Sequence, residues 1–172
     1  MSDIMVDIET YDNIPTAAIA SIGAVKFDLV TRQIIDKFYV TIDPASSKEH
    51  GLSFGRETLD WWKQQNPAAL KALRVNNIPL PDALDQFAKF FGDSYHCCCW
   101  GMFDVPILQY AYSRLGQSAP FQYFNTIDCR TMAIISGAKI NRKSEGTHHN
   151  ALDDAMVQTK YWINLLNPEE IK

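Results

Sequence analysis

The sequence predicts a mixed α/β fold. Three segments near the N-terminus alternate apolar and polar residues as strands do, and beyond residue 80 helical apolar stripes alternate with short apolar runs. A strand meander followed by alternating helices and strands is typical of a sheet covered by helices. A length of 172 residues, 47% of them hydrophobic, fits one core, so we expect residues 1–172 to form a single domain.

The first half of the chain is predicted to contain three strands and two helices. Turn residues Asp43-Pro44 end the third strand, and Gly23 in the second strand indicates either a bulge or a close approach by another segment. Asn66-Pro67 is typical of a helix start. In chain order, we expect strands at residues 3–10, 18–28 and 32–42, a polar loop at 45–55, and helices at 56–65 and 67–75.

The second half is predicted to alternate helices with two short strands. The apolar run at 95–100 has no polar alternation, as expected of a central strand buried on both faces, and should neighbour the first strand. Asp104 and Pro106 suit a helix start, with Asp104 near the N-cap. In chain order, we expect a helix at 84–91, a strand at 95–100, a helix at 104–115, a strand at 123–127, a helix at 129–136, a basic loop at 138–147 and a final helix at 150–166.

Composition limits the classes of function. No apolar run approaches the roughly 18 residues that cross a bilayer, and no signal peptide is recognisable, so we expect a cytoplasmic protein without membrane contact. Three consecutive cysteines, Cys97 to Cys99, and Cys129 cannot build a disulfide framework, which indicates buried, reduced thiols. The net charge of −4 argues against a protein that coats long duplexes but allows an enzyme that grips one strand end.

Two carboxylates lie near the end of the first predicted strand. Asp7 and Glu9 are two residues apart, so their side chains share one face of that strand. Adjacent acids in a buried strand repel each other unless a cation or a shared proton compensates them, and oxygen ligands favour Mg²⁺ or Mn²⁺ over zinc. From these two residues alone, a metal site and a pair of solvent-facing acids are equally good interpretations.

A second set of polar residues lies at the head of the last predicted helix. Asp154 follows His149 by five residues, so both can face one cleft, and Asp104 follows the strand expected beside the first one. Ligands gather at the C-terminal edge of the sheet in α/β folds. We therefore expect four carboxylates, Asp7, Glu9, Asp104 and Asp154, to meet one imidazole there.

Neighbouring polar residues have simpler interpretations. His148 is one residue too far from Asp154, Asp153 points about 100° away from Asp154 on a helix, and Asp128 suits a helix cap. Basic residues before His149 either guide a nucleic-acid strand toward the acids or are only solvated. These basic residues are Lys139, Arg142 and Lys143.

Cysteine chemistry and the tryptophan pair leave alternatives. A zinc site with His96 lacks the two-residue spacing of paired thiolates, and nothing marks Cys99 or Cys129 as an activated nucleophile. Trp61 and Trp62 point about 100° apart on a helix, so at most one belongs fully to the core. The other stacks on a base or packs at a dimer contact.

Three motifs occur in order along the chain. They are Asp7-Ile8-Glu9-Thr10, Phe103-Asp104 and His149-x-Ala151-x-x-Asp154-Ala155. Together they resemble the three exonuclease motifs of the DEDDh 3′-to-5′ exonucleases. The segments at 19–25, 57–62 and 100–104 are most similar to the branch of ribonuclease AS and phage DexA. The resemblance implies an RNase H-like fold with a five-stranded mixed sheet, in which an antiparallel meander of three strands and two parallel strands are flanked by helices.

The resemblance also implies a mechanism. Asp7, Glu9, Asp104 and Asp154 would hold two divalent cations, Mg²⁺ with Mn²⁺ able to substitute, and His149 would be the general base. The reaction would release 5′-mononucleotides from the 3′ end of single-stranded RNA or DNA, and the branch resemblance suggests a homodimer.

Substrate contacts are expected from Thr10, Trp61, Phe103 and His149. Two other functions stay open: an RNase H-like endonuclease, and a catalytically idle module of the same fold that only binds single strands. The endonuclease does not require the spacing of His149 and Asp154, and the binding module does not need all five polar residues.

Overall fold

The chain forms a five-stranded mixed sheet with helices on both faces. The computed structural model describes residues 1–137 and 149–165. The strand order is β3-β2-β1-β4-β5, with the first three strands antiparallel and the last two parallel to β1, as predicted. The elements are β1 (Asp3–Thr10), β2 (Ile19–Asp28), β3 (Gln33–Thr41), α1 (Pro44–Glu49), α2 (Arg56–Trp62), α3 (Pro67–Ala72), α4 (Leu80–Phe91), β4 (Cys97–Cys99), α5 (Asp104–Arg114), β5 (Thr126–Asp128), α6 (Cys129–Ile135) and α7 (Ala151–Leu165).

Strand β1 lies at the centre of the sheet. Its alternation places Val6 and Ile8 in the core beneath α4 and α5, while Met5 packs on the opposite face with residues of α7 such as Trp162. Asp7 and Glu9 continue the row that begins at Met5. Both carboxylates therefore lie on the face of the sheet that α7 covers.

Two local predictions were wrong. The predicted loop at 45–55 contains α1, because Asp43 accepts a hydrogen bond from the backbone N–H of Ala45 and Pro44 occupies the first turn, so the strand-ending pair also starts a helix. The predicted strand at 123–127 begins with a 3₁₀ turn at Tyr123–Asn125. Asp104 is the first residue of α5, next to the N-cap Phe103, which agrees with its predicted place near the cap.

Two sequence predictions lie partly or wholly outside the described residues: the basic loop at 138–147 and the last residue of the final helix. Within the described ranges, no helix combines the length and apolar character that a bilayer crossing would require.

Gly23 allows α7 to touch the sheet. It pairs with Asp7 in the β1–β2 ladder, and a Cβ atom at this position would overlap the backbone carbonyl group of Ala151. Of the two interpretations of this glycine, the close approach is therefore the one observed. The missing side chain brings the first turn of α7 directly over the carboxylate end of β1.

We expect Gly23→Ala to destabilise the protein by about 1–3 kcal/mol, because backbone atoms of α7 cannot yield as a side chain can. Amide hydrogen exchange should accelerate in the first turn of α7. Urea unfolding and exchange mass spectrometry measure both effects.

The control is Gly116→Ala. Gly116 has a φ of +67° and open space where a Cβ would lie, so this change should cost about 1 kcal/mol of backbone strain and leave exchange in α7 unchanged. Wild-type exchange in α7 of the Gly23 variant would contradict the packing argument.

Candidate active site

Three elements bring the predicted carboxylates together. Asp7 and Glu9 lie at the end of β1, Asp154 lies in the first turn of α7, and Asp104 lies in the first turn of α5, just after β4. Asp104 is 5% exposed, and its Oδ1 accepts the backbone N–H of Ile8 at 3.0 Å. Because Ile8 lies between Asp7 and Glu9 in β1, this hydrogen bond holds Asp104 close to both of these acids.

The imidazole of His149 belongs to the same cluster. Atoms of Glu9, His149 and Asp154 that could ligate a metal all lie within 4.8 Å of one another. The backbone N–H of His149 donates to Oδ2 of Asp154 at 3.2 Å, and Asn150 caps α7 by accepting the N–H groups of the second and third helical residues. His149 itself has a left-handed φ of 64°, which is uncommon for a residue other than glycine. The local chain thus turns sharply where the predicted base lies.

Burial and mutual repulsion disfavour the charged forms of these acids. Burial, followed by repulsion from Asp104 and Glu9, raises the pKa of Asp7 well above its usual range. Burial, together with repulsion from Asp154 and Asp104, raises the pKa of Glu9 to about 8. Burial raises the pKa of Asp104 to about 7, although the hydrogen bond from Ile8 opposes this shift. The cluster therefore needs protons or a cation.

The donor set suits divalent cations. Among the ion pairs formed by the described residues, none involves Asp7, Glu9 or Asp104. A cluster of carboxylate oxygens beside a single imidazole, at the edge of a cleft, is a combination that Mg²⁺ or Mn²⁺ can occupy.

Gln158 belongs to the site although no sequence pattern predicted it. Its Nε2 donates to Oδ1 of Asp7 at 2.7 Å across the interface between α7 and the sheet. The signal that could have found it is its position four residues after Asp154, which places both residues on one face of the helix.

A cleft of about 480 Å³ adjoins Glu9. Trp61 and Phe103 line it, and each is 40% exposed. Trp61 packs edge-on against His149, with 4.8 Å between ring centroids. The cleft therefore offers two partly exposed aromatic side chains, one of which, Trp61, contacts the predicted base.

Trp62 and Thr10 anchor the wall of this cleft. Trp62 is buried and its indole N–H donates to the carbonyl oxygen of Thr10 at 2.8 Å, so the prediction that only one tryptophan belongs to the core is confirmed. The Thr10 hydroxyl donates to the carbonyl oxygen of Asp12 at 2.6 Å. Because the Thr10 hydroxyl already donates its hydrogen to Asp12, it can only accept a hydrogen bond from a nucleotide.

The cysteine alternatives find no support in the structure. The four cysteines are buried without disulfides, as predicted, and burial raises the pKa of the Cys97 and Cys99 thiols. Contact with Cys98, then burial, raises the pKa of the Cys129 thiol. Neutral thiols are poor nucleophiles and poor metal ligands.

The remaining polar residues have structural partners or lie outside the described ranges. His96 pairs with Asp3 at 2.9 Å. The Asp128 side chain accepts the N–H groups of Arg130 and Thr131, which confirms the predicted helix cap. His148 and the three predicted basic residues, Lys139, Arg142 and Lys143, lie outside the described residues.

Comparison with known proteins identifies the relatives of this chain. The family described as 3′-5′ exoribonuclease Rv2179c-like domain matches residues 2–166. An exodeoxyribonuclease of Enterobacteria phage T4 is 32% identical over 129 residues, which are 63% of this chain and 54% of the phage protein. The chain thus spans about half the length of this relative.

Solved structures share the fold at low sequence identity. The nuclease domain of 3′hExo, a DEDDh family member bound to rAMP, has a TM-score of 0.68 at 14% identity, over 96% of this chain and 91% of that one. Exonuclease I of E. coli in complex with a dT13 oligonucleotide has a TM-score of 0.71 at 12% identity, over 95% of this chain and 40% of that one. The RNase H-like fold that the sequence predicted is thereby confirmed.

The raised pKa values predict that the metal-free protein loses stability as the pH rises. Unfolded, Asp104 and Glu9 would release protons near their ordinary pKa values of 3.8 and 4.5, but the folded chain retains them to about 7 and about 8. Between these limits the folded state binds more protons, so stability should fall by about 1.4 kcal/mol per pH unit for each retained proton.

Urea unfolding in the presence of a chelator, repeated from pH 4 to 9, measures this slope. Glu9→Gln removes one titrating group of the same size and should flatten the curve. Constant or increasing stability of the wild type over this range would show that the folded chain does not raise the pKa values of these acids.

Proposed function

The chain belongs to the family described as the 3′-5′ exoribonuclease Rv2179c-like domain, and on this premise we propose that it is a metal-dependent 3′-to-5′ exonuclease acting on single-stranded nucleic acid. The observation that carries the proposal is that the possible ligand atoms of Glu9, His149 and Asp154 lie within 4.8 Å of one another. Asp7 and Asp104 lie close enough to these acids to repel them. The products would be 5′-mononucleotides.

Four carboxylates from three elements would hold the cations. Asp7, Glu9, Asp104 and Asp154 offer enough oxygen ligands for two Mg²⁺ ions, and Mn²⁺ has similar ligand preferences. When bound, such a pair supplies an activated water and stabilises the charge that develops on the phosphate and the leaving 3′ oxygen. The acids themselves orient the cations relative to the cleft.

His149 would accept the proton of the attacking water at an imidazole nitrogen. Histidine suits this step because it exchanges protons near neutral pH. Its backbone bond to Asp154 and its ring contact with Trp61 restrict the positions that the imidazole can adopt.

The cleft supports a single strand as the substrate. The exposed parts of Trp61 and Phe103 can stack on unpaired bases without reading their identity, and Thr10 lines the same cleft. The family description supports RNA as the first substrate to test, whereas the name of the phage relative points to DNA. The homodimer and the cytoplasmic location stay predictions from the sequence.

We expect Mg²⁺-dependent digestion of linear single strands from the 3′ end. A 3′-labelled oligonucleotide should release labelled mononucleotide first, and a 5′-labelled one should give a shortening ladder. RNA and DNA of equal sequence are compared in one time course, with a chelator as the negative control.

A circular single strand distinguishes the alternatives. It should stay intact, because an exonuclease needs an end, whereas an endonuclease would open it. Binding of the linear strand without any cleavage, with Mg²⁺ and with Mn²⁺, would identify an idle binding module instead.

His149→Ala should lower turnover by about 10²- to 10⁴-fold, the usual contribution of a general base, and leave the fold and much of the Mn²⁺ binding intact. Asp7→Ala should abolish metal-dependent cleavage and weaken Mn²⁺ binding as well. Rates from the oligonucleotide assay and calorimetric Mn²⁺ titration separate the two roles.

The matched control is His50→Ala. The backbone carbonyl of His50 contacts Arg114, and its ring is not part of the acid cluster. This variant should keep wild-type rates, and wild-type turnover in the His149 variant would remove that residue from the mechanism.

A further inference from the structure

Gln158 joins α7 to the central strand at the acid cluster. It lies one helical turn after Asp154, and its Nε2 donates to Oδ1 of Asp7 at 2.7 Å in a partly buried setting. Gln158 and Asp7 are 151 positions apart in the chain. The bond therefore exists only because α7 packs on the sheet.

The other end of the same amide adds little to the fold. Oε1 of Gln158 is buried and has no hydrogen-bond partner within residues 1–137 and 149–165. An unpartnered buried acceptor costs free energy of the same order as a hydrogen bond to a carboxylate contributes. A leucine of similar size would avoid that cost but would leave Oδ1 of Asp7 without this donor, so the two effects nearly cancel and stability alone does not explain an amide at this position.

The chemistry of the donor fits a different role. A lysine or arginine here would neutralise Asp7 and compete with a cation, and an acid would add repulsion. A neutral amide orients the carboxylate and leaves its charge available. Because Oδ1 is engaged, Oδ2 is the oxygen of Asp7 that remains free of this bond.

We propose that Gln158 is a positioning residue that fixes the orientation of the Asp7 carboxylate for cation binding. Partners that orient ligand side chains commonly change metal affinity by about 10- to 100-fold. The inference rests on the proposed function in one respect, that Asp7 is a metal ligand.

Calorimetric titration of the full chain with Mn²⁺ alone tests it. Gln158→Leu should weaken Mn²⁺ binding by about 10- to 100-fold, while the urea midpoint in chelator stays close to that of the wild type. A purely structural role would shift the midpoint and leave the affinity unchanged.

Two further variants sharpen the test. Gln158→Asn keeps the amide but is one methylene too short to span 2.7 Å to Asp7, so it should lose the same affinity even if the leucine variant does not fold. Gln117→Leu removes an exposed amide that donates to Asp85 at 3.5 Å, and it should bind Mn²⁺ like the wild type.

The outcomes separate this inference from the proposed function. Wild-type affinity in folded Gln158 variants would overturn the positioning role and leave the proposed function standing. A wild-type chain that binds no Mn²⁺ would overturn both.

Discussion

The repulsion between carboxylates at the end of β1 is the constraint on which the rest of the site depends. Neutral N–H groups donate to three of the four acids that meet there. Ile8 donates to Asp104, Gln158 to Asp7 and His149 to Asp154. Such donors orient carboxylates without cancelling their charge, so the cluster retains its attraction for cations.

The cluster exists because α7 lies unusually close to the sheet. Gly23, opposite Asp7, leaves room for the backbone of Ala151, and both residues are small. Any side chain at Gly23 would lift the helix and move Asp154 away from Glu9. The position of the Asp154 carboxylate therefore depends on Gly23, a residue without a side chain.

Two adjacent tryptophans on α2 have opposite roles. Trp62 is buried and donates to the carbonyl oxygen of Thr10, which fixes α2 to the end of β1. Trp61 points into the cleft and contacts the ring of His149. On α2, Trp62 thus attaches the helix to the sheet, and Trp61 lies between the expected substrate cleft and the imidazole of His149.

Local patterns in the sequence determined the first strand, the shared face of Asp7 and Glu9, and the spacing from His149 to Asp154, because these depend only on backbone periodicity. The pair Asp43-Pro44 was misread because it both ends a strand and starts a helix. Only the tertiary structure decided that Gln158 meets Asp7 and that Trp61 meets His149. Those contacts join residues far apart in the chain, and their geometry is set by how closely α7 and α2 pack against the sheet.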